Sequence, residues 1–119
     1  MTTSSGQMGC IVVDDMDSIL FEVLTPLGFR VRVSHAYWTM ITTIKHPVMM
    51  GREADVKKTL SHPDEIRLSV RDPEVNLFYR QEGRQRWVCA VARRLDEDGF
   101  LITTYPTDAI KEGRRIWPK

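Results

Sequence analysis

The fold is decided by four consecutive apolar runs in the second half of the chain: EIRLSVR (65–71), VNLFYRQ (75–81), QRWVCAVARR (85–94) and GFLITTY (99–105). Turn sequences separate them at Asp72-Pro73, at Glu82-Gly83 and at residues 96–99. These connections are too short for parallel crossovers, so the runs are predicted to pair as an antiparallel meander. The third run is apolar on both faces, which is typical of a central strand.

The first half of the chain predicts a β-hairpin followed by two helices. Residues 18–24 and 29–33 are β-rich runs joined by the turn sequence TPLG. Ser34 is a suitable N-cap for a helix that begins at His35, and Pro47 should end that helix near His46. A second helix is expected over residues 52–60. The predicted fold is therefore α+β, with an N-terminal β-hairpin and two helices packed on a four-stranded antiparallel meander sheet.

Composition sets the size and broad class of the protein. The 119 residues suffice for one domain, which we place at residues 18–119. Residues 1–17 are polar and then acidic, and are predicted to be a disordered or loosely attached arm. All 17 basic residues lie in residues 30–119, together with 12 of the 16 acids. This moderate basic bias fits either RNA binding or an ordinary mixed-charge surface.

Two cysteines in a chain of this size do not form a disulfide framework, so both are expected to be reduced thiols in a cytoplasmic protein. No apolar run is long enough to span a bilayer, so no membrane association is expected. No group of residues has metal-ligand spacing, and no glycine-rich phosphate loop is present. No metal and no cofactor are therefore predicted.

His46 is the first candidate for chemistry. It lies at the predicted helix end, off the apolar face of that helix, and is therefore expected to be accessible. An imidazole at the negative end of a helix can act as a general acid or bind a phosphate. The alternative is structural, because histidine is a common residue at helix C-termini.

Arg80 is the second candidate. Strand alternation places it on one face with Asn76 and Phe78, where an arginine beside an aromatic ring suits a nucleobase and a phosphate. Arg67 on the neighbouring run could extend this patch. The alternative is a charged outer face that only keeps the protein soluble.

A third group comprises Thr103, Thr104 and Tyr105 at the end of the last run, with Lys111 downstream. Hydroxyl groups beside a basic tail can hydrogen-bond a phosphate. Equally, threonine and tyrosine are favoured in strands whatever the function.

These residues fall in patterns that resemble a known group. The patterns are Trp38-x-x-Ile41-x-x-x-x-His46-Pro47, Gly51-Arg52-Glu53-x-x-Val56-x-x-Thr59-Leu60-x-x-Pro63-Asp64-x-Ile66, Leu77-Phe78-Tyr79-Arg80, Ile102-Thr103-Thr104-Tyr105 and Lys111-x-Gly113. Over roughly residues 20–117 the chain resembles the barnase, EndoU, colicin and RelE-like (BECR-type) small nucleases of phage and bacterial genomes.

The resemblance implies a metal-independent RNA endonuclease, and a toxin module is one form it could take. His46 would be the acid or base, and Arg80 would stabilise the transition state. Thr104 would hold the phosphate with Lys111, Arg52 would be a reserve cation, and Tyr79 or Tyr105 would assist. Implied partners are RNA and an antitoxin or other protein. An exposed β-edge at residues 18–24 could also pair with a second copy in a homodimer. The alternative function is a non-catalytic RNA- or protein-binding module.

Overall fold

The computed structural model describes residues 18–110 and 113–118, which form an α+β fold. The predicted arm at residues 1–17 lies outside the described residues. Two α-helices and seven β-strands are present in the described part of the chain. They are β1 Ile19–Leu24, β2 Arg30–Ser34, α1 His35–Met40, α2 Glu53–Ser61, β3 Glu65–Leu68, β4 Val75–Gly83, β5 Arg86–Leu95, β6 Asp98–Thr107 and β7 Arg114–Trp117.

The sheet is larger than the predicted one, and it is mixed. Its strand order is β1-β2-β6-β5-β4-β3-β7. Strands β3 to β6 pair antiparallel in sequence order, as the short connections predicted. The prediction of four strands was wrong in extent, because β2 joins β6 in a parallel pair and β7 pairs with β3. Neither pairing is local in sequence, so neither leaves a turn signal.

The N-terminal hairpin and helix start follow their local sequence. β1 and β2 pair antiparallel across the turn that contains Gly28, which has a φ of 93°. The side chain of Ser34 accepts a hydrogen bond from the backbone N of Tyr37 at 3.1 Å, which caps α1 as predicted. β1 occupies one end of the sheet order.

The chain leaves the helical path at His46, as Pro47 requires. After Met40 the helix widens into a π-helical turn over Ile41–Lys45, and His46 takes φ −141° and ψ 77°. The ring of a following proline clashes with α geometry at the residue before it, which explains this extended backbone. A 3₁₀ turn over Pro47–Met49 then leads towards α2.

Apolar clusters lie on both faces of the sheet. The larger cluster packs α1 and α2 on one face and includes Phe29, Phe78 and Val88, all fully buried. The second cluster lies on the other face and contains Leu77, Tyr79, Cys89 and Val91. β5 contributes to both clusters, which confirms that it is a central strand.

Gly113, just before β7, lies where the backbone requires glycine. Ile110, which follows β6, packs against the second cluster on the face opposite the helices. Gly113 has a φ of 84°, and a Cβ there would lie 2.6 Å from the backbone oxygen of Leu68.

Candidate functional site

His46 and Tyr105 meet near the end of β6. Both side chains are half-buried, and their ring centroids lie 5.3 Å apart with planes tilted by 40°. Tyr105 is held by its place in β6, opposite Cys89 of β5. His46 has a non-helical backbone because Pro47 follows it, and its side chain lies beside the Tyr105 ring. The pair therefore joins two side chains that can each donate or accept a proton.

Arg80 is far more enclosed than the sequence indicated. Its side chain is 17% exposed, and its Nη2 lies 3.5 Å from Asp55 Oδ1 of α2. The Nε atom is buried and has no hydrogen-bond partner among the described residues. Phe78, on the same face, is fully buried in the cluster beneath the helices. The interpretation of this face as an open stacking platform was therefore wrong, because α1 and α2 cover it.

Arg80 is one end of a series of alternating charges that we call the arginine chain, made of Arg80, Asp55, Arg52, Glu82 and Arg86. Arg52 Nε donates to Asp55 Oδ2 at 2.9 Å, and Arg52 Nη2 donates to Glu82 Oε1. Arg86 Nε lies 3.5 Å from the other oxygen of Glu82. Each carboxylate is thus shared by two guanidinium groups, and the five side chains of the arginine chain together carry one excess positive charge.

The carboxylates also hold Arg52 firmly in its charged form. Partial burial lowers the pKa of Arg52, but the hydrogen bonds and charges of Asp55 and Glu82 outweigh burial and raise the pKa above its ordinary value. Arg52 is therefore a permanent cation at the beginning of α2.

The His46–Tyr105 pair and the arginine chain lie at the same end of the sheet, but Tyr105 projects on the face of the second cluster, whereas Arg80 projects on the helix face. Arg80 is paired with Val88, and Val88 is paired with Pro106, the neighbour of Tyr105. Two strand spacings separate β4 from β6, so the backbones of Arg80 and Pro106 are about 10 Å apart. On the helix side, Met49 N donates to His46 O at 2.9 Å, and Arg52 Nη1 lies 4.0 Å from Met49 Sδ.

A shallow pocket opens at this end of the sheet. It has a volume of about 130 Å³ and is lined by Arg86, Pro106, Thr107 and Asp108. This volume equals that of about four water molecules in the liquid. A phosphate-sized group therefore fits beside the exposed end of the arginine chain.

The remaining predicted site residues lie elsewhere. Thr104 is fully buried, and its Oγ1 donates to the backbone oxygen of Cys89 at 2.8 Å, so its hydroxyl makes a structural contact. Arg67 is paired with Leu77 and lies on the face opposite Arg80. Its guanidinium pairs with Glu65 and donates to Gly113 O at 3.0 Å. Lys111 lies outside the described residues.

Sequence reasoning missed Asp55, Glu82 and Arg86. The spacing of Arg52 and Asp55, three residues apart in the first turn of α2, was a usable signal for that pair. Glu82 and Arg86 flank the β4–β5 turn, but no local pattern indicates that Arg52 of α2 reaches them. The sequence therefore predicted two of the three arginines of this region, Arg52 and Arg80, and neither of their counter-ions.

Comparisons with known proteins identify no relative of this chain. No family model matches the chain, and neither a curated protein nor a solved structure matches it. Within residues 18–110 and 113–118 there is no group of three or more His, Cys, Asp or Glu side chains placed to hold a metal ion. None of the helices described is both long enough and apolar enough to cross a membrane.

Proposed function

We propose that the protein is an RNA endonuclease that cleaves by attack of a ribose 2′-OH, with protein side chains rather than a metal ion moving the protons. The observation that supports this best is the contact of His46 with Tyr105 at the same end of the sheet as the arginine chain, with Tyr105 on one face and Arg80 on the other. The resemblance to BECR-type nucleases points to the same chemistry.

In the proposed reaction the pair moves protons and the arginines neutralise charge. The 2′ oxygen loses its proton to a base and attacks the adjacent phosphorus. The bond from phosphorus to the 5′ oxygen breaks, and that oxygen receives a proton. The products are a 2′,3′-cyclic phosphate and a free 5′-hydroxyl. His46 and Tyr105 are the proton carriers, while Arg80 and Arg52 face the charge that develops on the phosphate.

The first test is cleavage of RNA by the purified protein in the presence of EDTA. We expect wild type to cut RNA and His46→Ala and Arg80→Ala to lose at least about 10²-fold in rate. Circular dichroism and thermal unfolding establish that each variant is folded. His62→Ala is the matched control, because His62 also follows a helix and instead contacts Ser61. If folded wild type leaves RNA intact, or if both variants cleave normally, the endonuclease proposal is wrong.

One observation favours a second candidate, the non-catalytic RNA- or protein-binding module. All three guanidinium groups of the arginine chain already contact a carboxylate, so none is held free for a transition state. A binding module would retain RNA without cutting it, and its affinity would fall steeply with salt. A protein partner would instead bind with little dependence on salt.

The remaining expectations belong to the same proposal. A toxin role with a cognate antitoxin applies only if cleavage is found. A cytoplasmic location agrees with Cys89 being a buried free thiol.

A further inference from the structure

Glu82 lies between the partly buried Arg52 and the exposed Arg86. One of its carboxylate oxygens accepts from Arg52 Nη2, and the other lies 3.5 Å from Arg86 Nε. The Glu82 side chain is 19% exposed, whereas that of Arg86 is 64% exposed. Glu82 thus bridges Arg52, at the start of α2, and the long, exposed side chain of Arg86 on the β4–β5 hairpin.

Three of the five N–H donors of Arg52 have an acceptor. Its Nε is taken by Asp55, its Nη2 by Glu82, and its Nη1 faces the sulfur of Met49. Phosphate and carboxylate oxygens use the same donors of a guanidinium group in the same geometry. An anion that binds Arg52 through two adjacent nitrogens must use Nη2, and it therefore competes with Glu82 for that nitrogen.

Glu82 is the carboxylate that lies between Arg52 and the exposed Arg86, so an anion bound to both arginines competes with it. Asp55 lies in the first turn of α2, where the positive end of the helix stabilises a negative charge, and it also pairs with Arg80. Glu82 has a longer side chain, is the penultimate residue of β4, and adjoins the hairpin turn. Arg86, the other partner of Glu82, also lines the pocket formed with Pro106, Thr107 and Asp108.

We propose that Glu82 is an internal competitor of phosphate. A nucleic-acid phosphate binds Arg52 and Arg86 by displacing the Glu82 carboxylate, and Glu82 thereby sets the affinity of the site. This inference rests on the proposed function for its ligand class, because the ligand is the phosphate backbone of RNA.

The test is the affinity of Glu82→Gln for a nucleic acid that cannot be cleaved through a 2′-OH. The probe is a fluorescently labelled 2′-deoxy oligonucleotide of about 12 nucleotides, and anisotropy gives Kd between about 50 and 200 mM salt. Glutamine keeps the size of the side chain and removes its charge. We expect Kd to fall about fivefold, as for removal of one close charge repulsion in a partly screened site. The slope of log K against log salt should become more negative by about the amount that one additional phosphate contact gives.

Glu74→Gln is the matched control, because it makes the same change in net charge and breaks an ion pair with Arg93 outside the arginine chain. Glu82→Asp keeps the charge but shortens the side chain, so it should bind more tightly than wild type and less tightly than Glu82→Gln. Thermal unfolding checks that each variant is folded.

Three results would overturn the inference. They are an unchanged or weaker affinity of folded Glu82→Gln, an equal gain in Glu74→Gln, and no binding by any variant at the lowest salt. The readout is independent of the proposed reaction. If wild type fails to cleave RNA but Glu82→Gln gains affinity, the reaction is wrong and the role of Glu82 stands. If wild type cleaves RNA but Glu82→Gln does not gain affinity, the proposed reaction stands and the proposed role of Glu82 is wrong.

Discussion

The imidazole of His46 lies against the phenol ring of Tyr105, with 5.3 Å between the ring centroids. The two residues are 59 positions apart in the sequence. Two local features bring them together: the break in the helical path before Pro47 and the position of Tyr105 near the end of β6. Both rings are half-buried, and each carries a group that can donate or accept a hydrogen bond.

The Tyr105 hydroxyl should matter more for cleavage than for folding. Tyr105→Phe retains the ring that contacts His46 and removes only the oxygen, so we expect the rate of RNA cleavage to fall by about 10²-fold. Tyr37→Phe is the control, because the Tyr37 hydroxyl donates to the backbone oxygen of Ile102 at 2.8 Å. That change should cost about 1 kcal/mol of unfolding free energy and leave cleavage unchanged. Wild-type cleavage by Tyr105→Phe would remove the phenol from the mechanism.

Thr104 should contribute to stability. Thr104→Val deletes the buried donor to Cys89 O and should lower the unfolding free energy by about 1–2 kcal/mol, as measured by urea denaturation. The adjacent Thr103 offers a matched comparison, because its buried Oγ1 has no partner within the described residues. Thr103→Val should therefore be neutral or stabilising. A folded Thr104→Val protein that loses cleavage would instead support the ligand contact that the sequence suggested.

Alanine substitutions at Gly51 and Gly113 distinguish the cost of backbone strain from the cost of a steric clash. Both have positive φ, 84° and 81°, but a Cβ on Gly51 would meet nothing within 4 Å, whereas one on Gly113 would meet the Leu68 oxygen at 2.6 Å. Gly51→Ala should cost about 1–2 kcal/mol in unfolding free energy. Gly113→Ala should cost clearly more, because β7 must shift away from β3. Equal losses in the two variants would show that the β7 attachment tolerates the added methyl group.

Asp72 should make stability depend on pH in acid. A hydrogen bond from the Glu74 backbone, reinforced by the Arg93 guanidinium, lowers the pKa of Asp72 below its ordinary value of 3.8. A carboxyl group with a lowered folded pKa stabilises the fold above its unfolded pKa, and this contribution disappears as the pH falls through the folded pKa. Asp72→Asn should therefore lower Tm at about pH 6 and match wild type at about pH 2. A constant difference in Tm across this range would contradict the linkage.

Local sequence signals predicted the local structure well. Ser34, Pro47 and the turns between the last four strands each act through the backbone of their immediate neighbours, and each has its expected effect. The central position of β5 followed from its apolar residues on both faces. The parallel pairing of β2 with β6 and the attachment of β7 to β3 depend on contacts between distant segments, which no window of sequence contains.

The candidate site was predicted only in part, for the same reason. Alternation along β4 placed Phe78 and Arg80 on one face correctly, but it could not reveal that helices cover that face. It also could not show that Asp55 and Glu82 neutralise the arginines, because those carboxylates come from different elements. His46 and Tyr105 were each identified as candidates, whereas their contact required the fold.

The most direct test of the proposed site compares an RNA and a 2′-deoxy oligonucleotide of the same sequence, each incubated with folded wild type and with His46→Ala in EDTA. Cleavage through the 2′-OH predicts that wild type cuts only the RNA, that the new 3′ ends carry 2′,3′-cyclic phosphates, and that His46→Ala leaves both strands intact. Both strands intact with wild type, or both strands cut, would contradict a ribonuclease site built on His46 and the arginine chain.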